Sequence, residues 1–175
     1  MKKVLVVVDM QKDFVDGALG TKEAAAIVDA VVEKVKNFDG EVIFTRDTHF
    51  ENYMETQEGK NLPVVHCIKD TEGWEIVPQL KGLCEEKGCK CYDKPTFGSK
   101  ALAEYLTCMY EAGELESVEL VGLCTDICVV SNALMIKAFM PELPMYLDSS
   151  CCAGVTPEKH EAALETMRSC QILVR

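Results

Sequence analysis

The sequence predicts a three-layer α/β/α sandwich built on a six-stranded, mostly parallel sheet. The opening run Lys3-Val4-Leu5-Val6-Val7-Val8 is continuously apolar and rich in β-branched residues, with no polar alternation. That is the pattern of a strand buried on both faces of a parallel sheet. Strand-like runs then alternate with segments of helical period, without internal repeats or low-complexity linkers, as a chain of βαβ units requires. At 175 residues the chain is most simply one domain spanning 1–175, large enough to bury about 70% of the surface its unfolded form exposes.

After the first strand, Ile27, Val31, Val35 and Phe38 recur at helical spacing within Lys22 to Phe38, and Gly40 follows as a stop signal. Val42-Ile43-Phe44 is the centre of a second strand. From Asp47 to Gly88 the pattern is irregular, and a stretch of that length in a compact domain is usually functional. Lys90 to Asp93 reads as a short strand, followed by a helix near Ser99 to Glu111. Val118 to Val121 is a further strand, Ile127 to Phe139 a helix, and Pro144 to Leu147 a strand. Thr156-Pro157 opens the last helix, with Thr as N-cap and Pro at the first helical position. Ile172-Leu173-Val174 closes the sheet. Met135, Ile136, Phe139 and Met140 are candidates either for the core or for a subunit interface.

The charge balance excludes several functions. Lys and Arg number 18 against 29 Asp and Glu, a formal net charge of −11, which opposes nucleic acid and anionic membranes because both select a basic face. There is no run of eighteen apolar residues, and the amino terminus enters a strand at once, so neither a membrane span nor a cleaved signal is expected. The expected location is cytoplasmic, where the ten cysteines stay reduced. Cys84, Cys89 and Cys91 form the one local cluster but lack the paired spacing of a four-ligand zinc site.

Chemistry-bearing residues fall at strand ends. Asp9 terminates the first buried strand, Lys94 the Lys90 run, and Cys128 lies just beyond the Val118 run, at the start of a helix. Ligands of open α/β sheets bind outside the carboxyl ends of the strands, so an acid, an amine and a thiol share the edge where chemistry usually occurs. Unpaired N–H groups of a first helical turn favour a thiolate and a developing oxyanion. Taken alone, a cysteine there is more readily read as a small core residue than as a nucleophile. Asp47-Thr48-His49 follows the second strand and His66 comes seventeen residues later. One carboxylate and two imidazoles suit Zn²⁺, with Fe²⁺ or Mn²⁺ as alternatives; surface histidines near a loop are the other reading of this spacing.

Asp9-Met10-Gln11-Lys12-Asp13-Phe14, the lysine of Lys94-Pro95-Thr96-Phe97, and Gly122-Leu123-Cys124-Thr125-Asp126-Ile127-Cys128-Val129 resemble, in order and spacing, the three signature blocks of the isochorismatase-like cysteine hydrolases. Asp47, His49 and the pair His66-Cys67 resemble the metal motif of the nicotinamidase and pyrazinamidase branch. The resemblance covers nearly the whole chain and implies a Rossmann-like fold and an Asp9/Lys94/Cys128 triad. It implies hydrolysis of nicotinamide, or a related pyridine carboxamide, to nicotinate and ammonia through a cysteine acyl-thioester, with a place in NAD salvage. Backbone N–H groups of Cys124 and Cys128 would form the oxyanion hole, and the Leu123–Cys124 bond would be cis. A divalent ion, Zn²⁺ first, would be held by Asp47, His49 and His66, with Glu58 as a further ligand and Glu55 and Gln57 as competitors for that place. Phe14 matches a ring-contacting phenylalanine; Leu123, Ile127, Phe97 and Leu62 are the other candidate walls. Where many nicotinamidases carry Trp before the second metal histidine, this chain has Pro63 preceded by Leu62. The family often forms homo-oligomers. Hydrolysis of another small amide or a vinyl ether, and ligand binding without turnover, are the alternatives.

Overall fold

The computed structural model describes residues 1–175. The chain runs β1 (Lys2–Val8), α1 (Lys12–Val15), α2 (Lys22–Ala26), α3 (Val28–Asn37), β2 (Glu41–Asp47), a 3₁₀ turn (Tyr53–Glu55), α4 (Gln57–Asn61), a second 3₁₀ turn (Glu72–Trp74), α5 (Pro78–Glu86) and β3 (Lys90–Lys94). It continues through α6 (Lys100–Glu111), β4 (Leu115–Leu123), a π-helical turn (Thr125–Val129), α7 (Val130–Phe139), β5 (Met145–Ala153), α8 (Pro157–Ser169) and β6 (Leu173–Val174). The six strands lie in the order β3-β2-β1-β4-β5-β6, and every pairing is parallel. Strand order therefore reverses between β1 and β4, and the crevice at their carboxyl ends is the topological switch point of the sheet.

β1 shows why the sheet is covered on both faces. Val4, Val6 and Val8 pack with Leu102 and Leu106 of α6, Ala133 and Ile136 of α7, and Leu164 and Met167 of α8. Leu5 and Val7 point the other way, into a core with Val28, Val31 and Val35 of α3 and Leu80 of α5. Successive side chains of a strand alternate faces, so an uninterrupted apolar run supplies both layers. Of the four apolar residues singled out near α7, Ile136 and Met140 are core, while Phe139 is 54% exposed. No helix is long and apolar enough to cross a membrane.

Several boundaries differ from the sequence reading. The helix expected over Lys22 to Phe38 is two helices that meet at Ile27 (φ −88°, ψ −10°); the break leaves the apolar spacing almost unaltered, so the repeat hid it. The stretch from Asp47 to Gly88 contains α5, where Pro78 sits at the start and Val77, Leu80 and Leu83 face the second core. β5 extends to Ala153, past Asp148, Ser149 and Ser150, whose polarity masked the strand; a register shift between Leu120 and Gly122 accommodates it. The expected Thr156 cap is in place, its hydroxyl accepting from Lys159 N–H, and the Ser99 hydroxyl caps α6 in the same way, accepting from Leu102 N–H.

Candidate active site and metal centre

Asp9 follows β1 with φ +47°, a left-handed conformation that costs a non-glycine residue energy and clusters at functional sites. Its amide donates to the Thr45 carbonyl at 3.2 Å, while the Thr45 hydroxyl donates to Asp9 Oδ1 at 2.6 Å. Lys94, delivered by the last residue of β3, reaches across with Nζ 2.7 Å from Asp9 Oδ2 and 3.3 Å from Cys128 Sγ. The same ammonium lies 3.4 Å from Asp47 Oδ1 and donates to the Thr96 carbonyl at 3.2 Å. Asp9, Lys94 and Cys128 are all buried. The structure thus brings together the three residues that the sequence placed at strand ends.

The electrostatics divide the labour among them. Burial opposes the charge on Lys94, but the Asp9 and Asp47 carboxylates outweigh it and hold the ammonium protonated. Burial pushes the Asp9 carboxyl above its usual range, against the pull of Lys94. Asp9 Oδ2 is out of hydrogen-bonding alignment with Lys94 and has no other partner, which leaves a buried carboxylate oxygen with a lone pair to receive a proton. Burial and the Asp9 charge push the Cys128 thiol well above its ordinary value, with Lys94 pulling the other way. The resting sulfur is therefore a thiol rather than the thiolate suggested by a helix-start position, because burial outweighs the nearby cation.

The turn carrying Cys128 is π-helical. The carbonyl of Cys124 accepts the N–H groups of Ile127 and Val129 at 3.0 and 3.1 Å, passing over Cys128 between them. The Leu123–Cys124 bond is trans, as is every peptide bond of the chain, so the cis bond expected there is not found. β4 keeps its parallel register through Leu123, opposite Ala153, and the chain leaves the sheet extended, with Cys124 at φ −84°, ψ 144°. Gly122 makes the close approach of β4 to β1: at φ +114°, an added Cβ would sit 2.2 Å from the Val8 carbonyl, directly before Asp9. Asn132 braces the turn from below. Its amide donates to the carbonyls of Cys128 at 2.8 Å and Phe97 at 3.2 Å, and accepts from Ser99 N–H at 2.9 Å.

Beside this group, ligand atoms of Asp47, His49, Glu58 and His66 all lie within 4.8 Å of one another. His49 Nε2 is 3.0 Å from Asp47 Oδ2 and 3.5 Å from Glu58 Oε1; His66 Nε2 is 3.5 and 3.8 Å from the same two atoms. His66 Nδ1 faces the Val64 carbonyl at 2.8 Å, an acceptor, so the proton of the neutral ring belongs on Nδ1 and the Nε2 lone pair faces the carboxylates. Carboxylate oxygens and imidazole lone pairs aimed at one centre fit a divalent cation. Glu58, and neither Glu55 nor Gln57, is the acidic side chain in this cluster; the Thr56 hydroxyl, accepting from Gly59 N–H, caps the short helix that presents it.

The cluster is held together by residues to which the sequence reading gave no role of their own. His49 N–H donates to the Cys67 carbonyl and the His49 carbonyl accepts from Lys69 N–H, both at 2.9 Å, so a one-residue bridge sets the two histidines face to edge at 4.8 Å. Tyr53 is buried and packs edge-on to both rings. The Asp13 carboxylate accepts the Cys67 amide at 2.7 Å. Trp74, given no role from sequence, is buried, donates from its indole to Thr48 Oγ1 at 2.9 Å, and carries the Arg46 guanidinium over its ring.

The candidate walls divide. Phe14 is half-buried with its ring edge-on to His66 at 5.5 Å, and Ile127 is half-buried on the nucleophile turn. Leu123 is wholly enclosed in the α3-side core. Leu62 and Phe97 are 39% and 46% exposed.

Comparison with known proteins identifies the family. The family model for the isochorismatase domain matches residues 3–175, and the chain belongs to that family. An uncharacterised isochorismatase-family protein PncA of Bacillus subtilis is 30% identical over 173 residues, 94% of this chain and 93% of that protein. The crystal structure of a nicotinamidase/pyrazinamidase PncA from Bacillus subtilis superposes with a TM-score of 0.84 at 28% identity, covering 99% of each chain. The pyrazinamidase of Pyrococcus horikoshii, solved in complex with zinc, gives 0.82 at 29% identity over 100% of this chain and 99% of its own.

Proposed function

We propose that the protein is a nicotinamidase-like amidohydrolase, which converts nicotinamide to nicotinate and ammonia. The observation that carries this reading is the position of Lys94, whose one ammonium contacts Asp9, Cys128 and Asp47. It joins a proton acceptor and a sulfur to a four-ligand cluster in a single crevice. A flat ring with a carboxamide can present its amide carbon to the sulfur and its ring nitrogen to the cluster at the same time.

Asp9 Oδ2 takes the Cys128 proton as the sulfur attacks the carboxamide carbon, and Lys94 keeps its charge throughout. The N–H groups of Cys124 and Cys128 would donate to the oxyanion that develops. Asp9 returns its proton to the departing nitrogen as the C–N bond breaks, and water hydrolyses the acyl thioester. A divalent ion held by Asp47, His49, Glu58 and His66, Zn²⁺ before Fe²⁺ or Mn²⁺, would supply Lewis acidity for the ring nitrogen and for a water. Phe14, beside His66, and Ile127, on the nucleophile turn, would wall the ring. The product would enter pyridine-nucleotide synthesis in the cytoplasm. The homo-oligomer expected from sequence has exposed Phe139 as its most accessible apolar residue on α7.

Ammonia release from nicotinamide by zinc-replete protein tests the assignment. Turnover that is abolished in Cys128→Ala and strongly reduced in His49→Ala supports it. A folded, metal-loaded protein without turnover on nicotinamide would remove the substrate assignment.

A further inference from the structure

We infer that Cys84 and Cys89 are an oxidisable dithiol, a modification site at the end of α5 that a peroxide converts to an intramolecular disulfide. α5 ends in a two-bond cap of a defined kind. Gly88 N–H donates to the Glu85 carbonyl at 3.1 Å and Cys89 N–H to the Cys84 carbonyl at 2.9 Å, with Gly88 at φ +62°. This is the Schellman arrangement, in which the third-last helical residue and the second residue past the cap bring their side chains together. Apolar residues usually fill those two positions; here both are cysteine. Each thiol bears on the other's ionisation, and the cap bond fixes the backbone positions from which the two side chains project toward one another. That proximity is what a disulfide needs, since bridged α-carbons lie about 4.4–6.8 Å apart.

The pair is accessible and self-contained. Cys84 and Cys89 are half-buried, whereas Cys67, Cys128, Cys151 and Cys152 are buried. Cys91 is exposed nearby, yet the three sulfurs do not converge as the Asp47 cluster does, which makes the site a pair rather than a thiolate metal centre. Burial pushes both thiols above their ordinary value, Cys89 to about 11, so they meet peroxide mostly as thiols and the oxidation should quicken as pH rises. Peroxide oxidises one sulfur to a sulfenic acid, its O–O bond breaking with release of one water. The second sulfur then displaces hydroxide from the first, the S–S bond forms, and a second water leaves. The bridge would tie the last turn of α5 to the residue that enters β3.

The test is to treat the purified protein with hydrogen peroxide, quench, alkylate under denaturing conditions and digest with trypsin. Lys87 lies between the two cysteines and Lys90 separates Cys89 from Cys91, so the bridge holds two tryptic peptides together. The expected result is loss of alkylation at Cys84 and Cys89 together, one linked pair that dithiothreitol releases, and no link in either Cys84→Ser or Cys89→Ser. Both variants keep the backbone cap. Continued alkylation of both residues while other cysteines oxidise would overturn the inference, as would bridging of Cys84 to a different cysteine in the wild-type protein. Neither result bears on nicotinamide turnover.

Discussion

The side-chain amide of Gln11 grips the backbone of Asp47 from both sides: Oε1 accepts the Asp47 N–H at 2.7 Å and Nε2 donates to the Asp47 carbonyl at 2.9 Å. The same Nε2 donates to the Trp74 carbonyl at 2.8 Å. Gln11 is fully buried, so it fixes Asp47 between the cluster and Lys94 without touching either.

Gln11→Glu should therefore be more damaging than its shape suggests. Glutamate can still accept the Asp47 N–H, but its second oxygen would face two carbonyl oxygens, leaving buried acceptors unpaired at a cost on the order of 1–3 kcal/mol. Zinc affinity should fall roughly 10–100-fold, as for other residues that orient metal ligands. Urea unfolding and zinc titration of the variant check both numbers.

Metal affinity should rise with pH across the neutral range. Burial alone would lower the His49 pKa, but Asp47 and Glu58 outweigh it and raise it to about 9 from an ordinary 6.5. In the metal-free protein the ring is thus protonated at neutral pH, and a cation must displace that proton, which gives about tenfold in affinity per pH unit up to about pH 9. For the metal-free fold the sign is opposite. A raised histidine pKa contributes stability that is full below pH 6.5 and lost as pH rises through about 9. Zinc titrations between pH 6 and 9 and metal-free unfolding over the same range, both steps of roughly one unit, should slope in opposite directions.

Gly122 and Gly82 should respond to alanine with opposite signs. At Gly122 the new Cβ would meet the Val8 carbonyl at 2.2 Å on a backbone with φ +114°, and the loss should be about 3 kcal/mol or more. At Gly82, inside α5, nothing lies within 4 Å of the added atom, so the substitution should gain about 0.5–1 kcal/mol from reduced chain entropy. Denaturant midpoints with an unchanged m-value measure the contrast.

Lys94→Gln should remove turnover while leaving a foldable chain. Without the ammonium, Asp9 and Asp47 face each other as buried carboxylates, and Asp9, already raised by burial, takes up a proton and ceases to accept one from Cys128. A fall in kcat of about 10²–10⁴-fold is expected, with partial recovery at alkaline pH as Asp9 ionises again. An unchanged pH profile would show that Lys94 does not act through Asp9.

The fold was legible in its strands because a sheet buried on both faces leaves an unbroken apolar run, and Asp9 stands out as a charge at the end of one; Lys94 closes a short, mostly exposed edge strand and was legible through its sequence block. Cys128 was legible through its motif, and the histidines through their rarity. Gln11 and Asp13 were legible only as members of their block, without their roles; Thr45, Tyr53, Trp74 and Asn132 were not legible, because they act through hydrogen bonds or ring contacts to segments distant in sequence, and such contacts leave no periodicity. α5 could have been read: Pro78 at a helix start and Val77, Leu80 and Leu83 at helical spacing mark it. Leu123 shows the opposite error, since adjacency to the nucleophile block does not reveal that its side chain turns into the core.

The measurement closest to the central claim is acid-quench mass spectrometry of zinc-replete protein during nicotinamide turnover. The account predicts a nicotinoyl adduct on the tryptic peptide that carries Cys128, formed in the wild type and absent in Cys128→Ala, which should release no ammonia. Ammonia release at an undiminished rate by Cys128→Ala, or an adduct mapped to another residue, would contradict it.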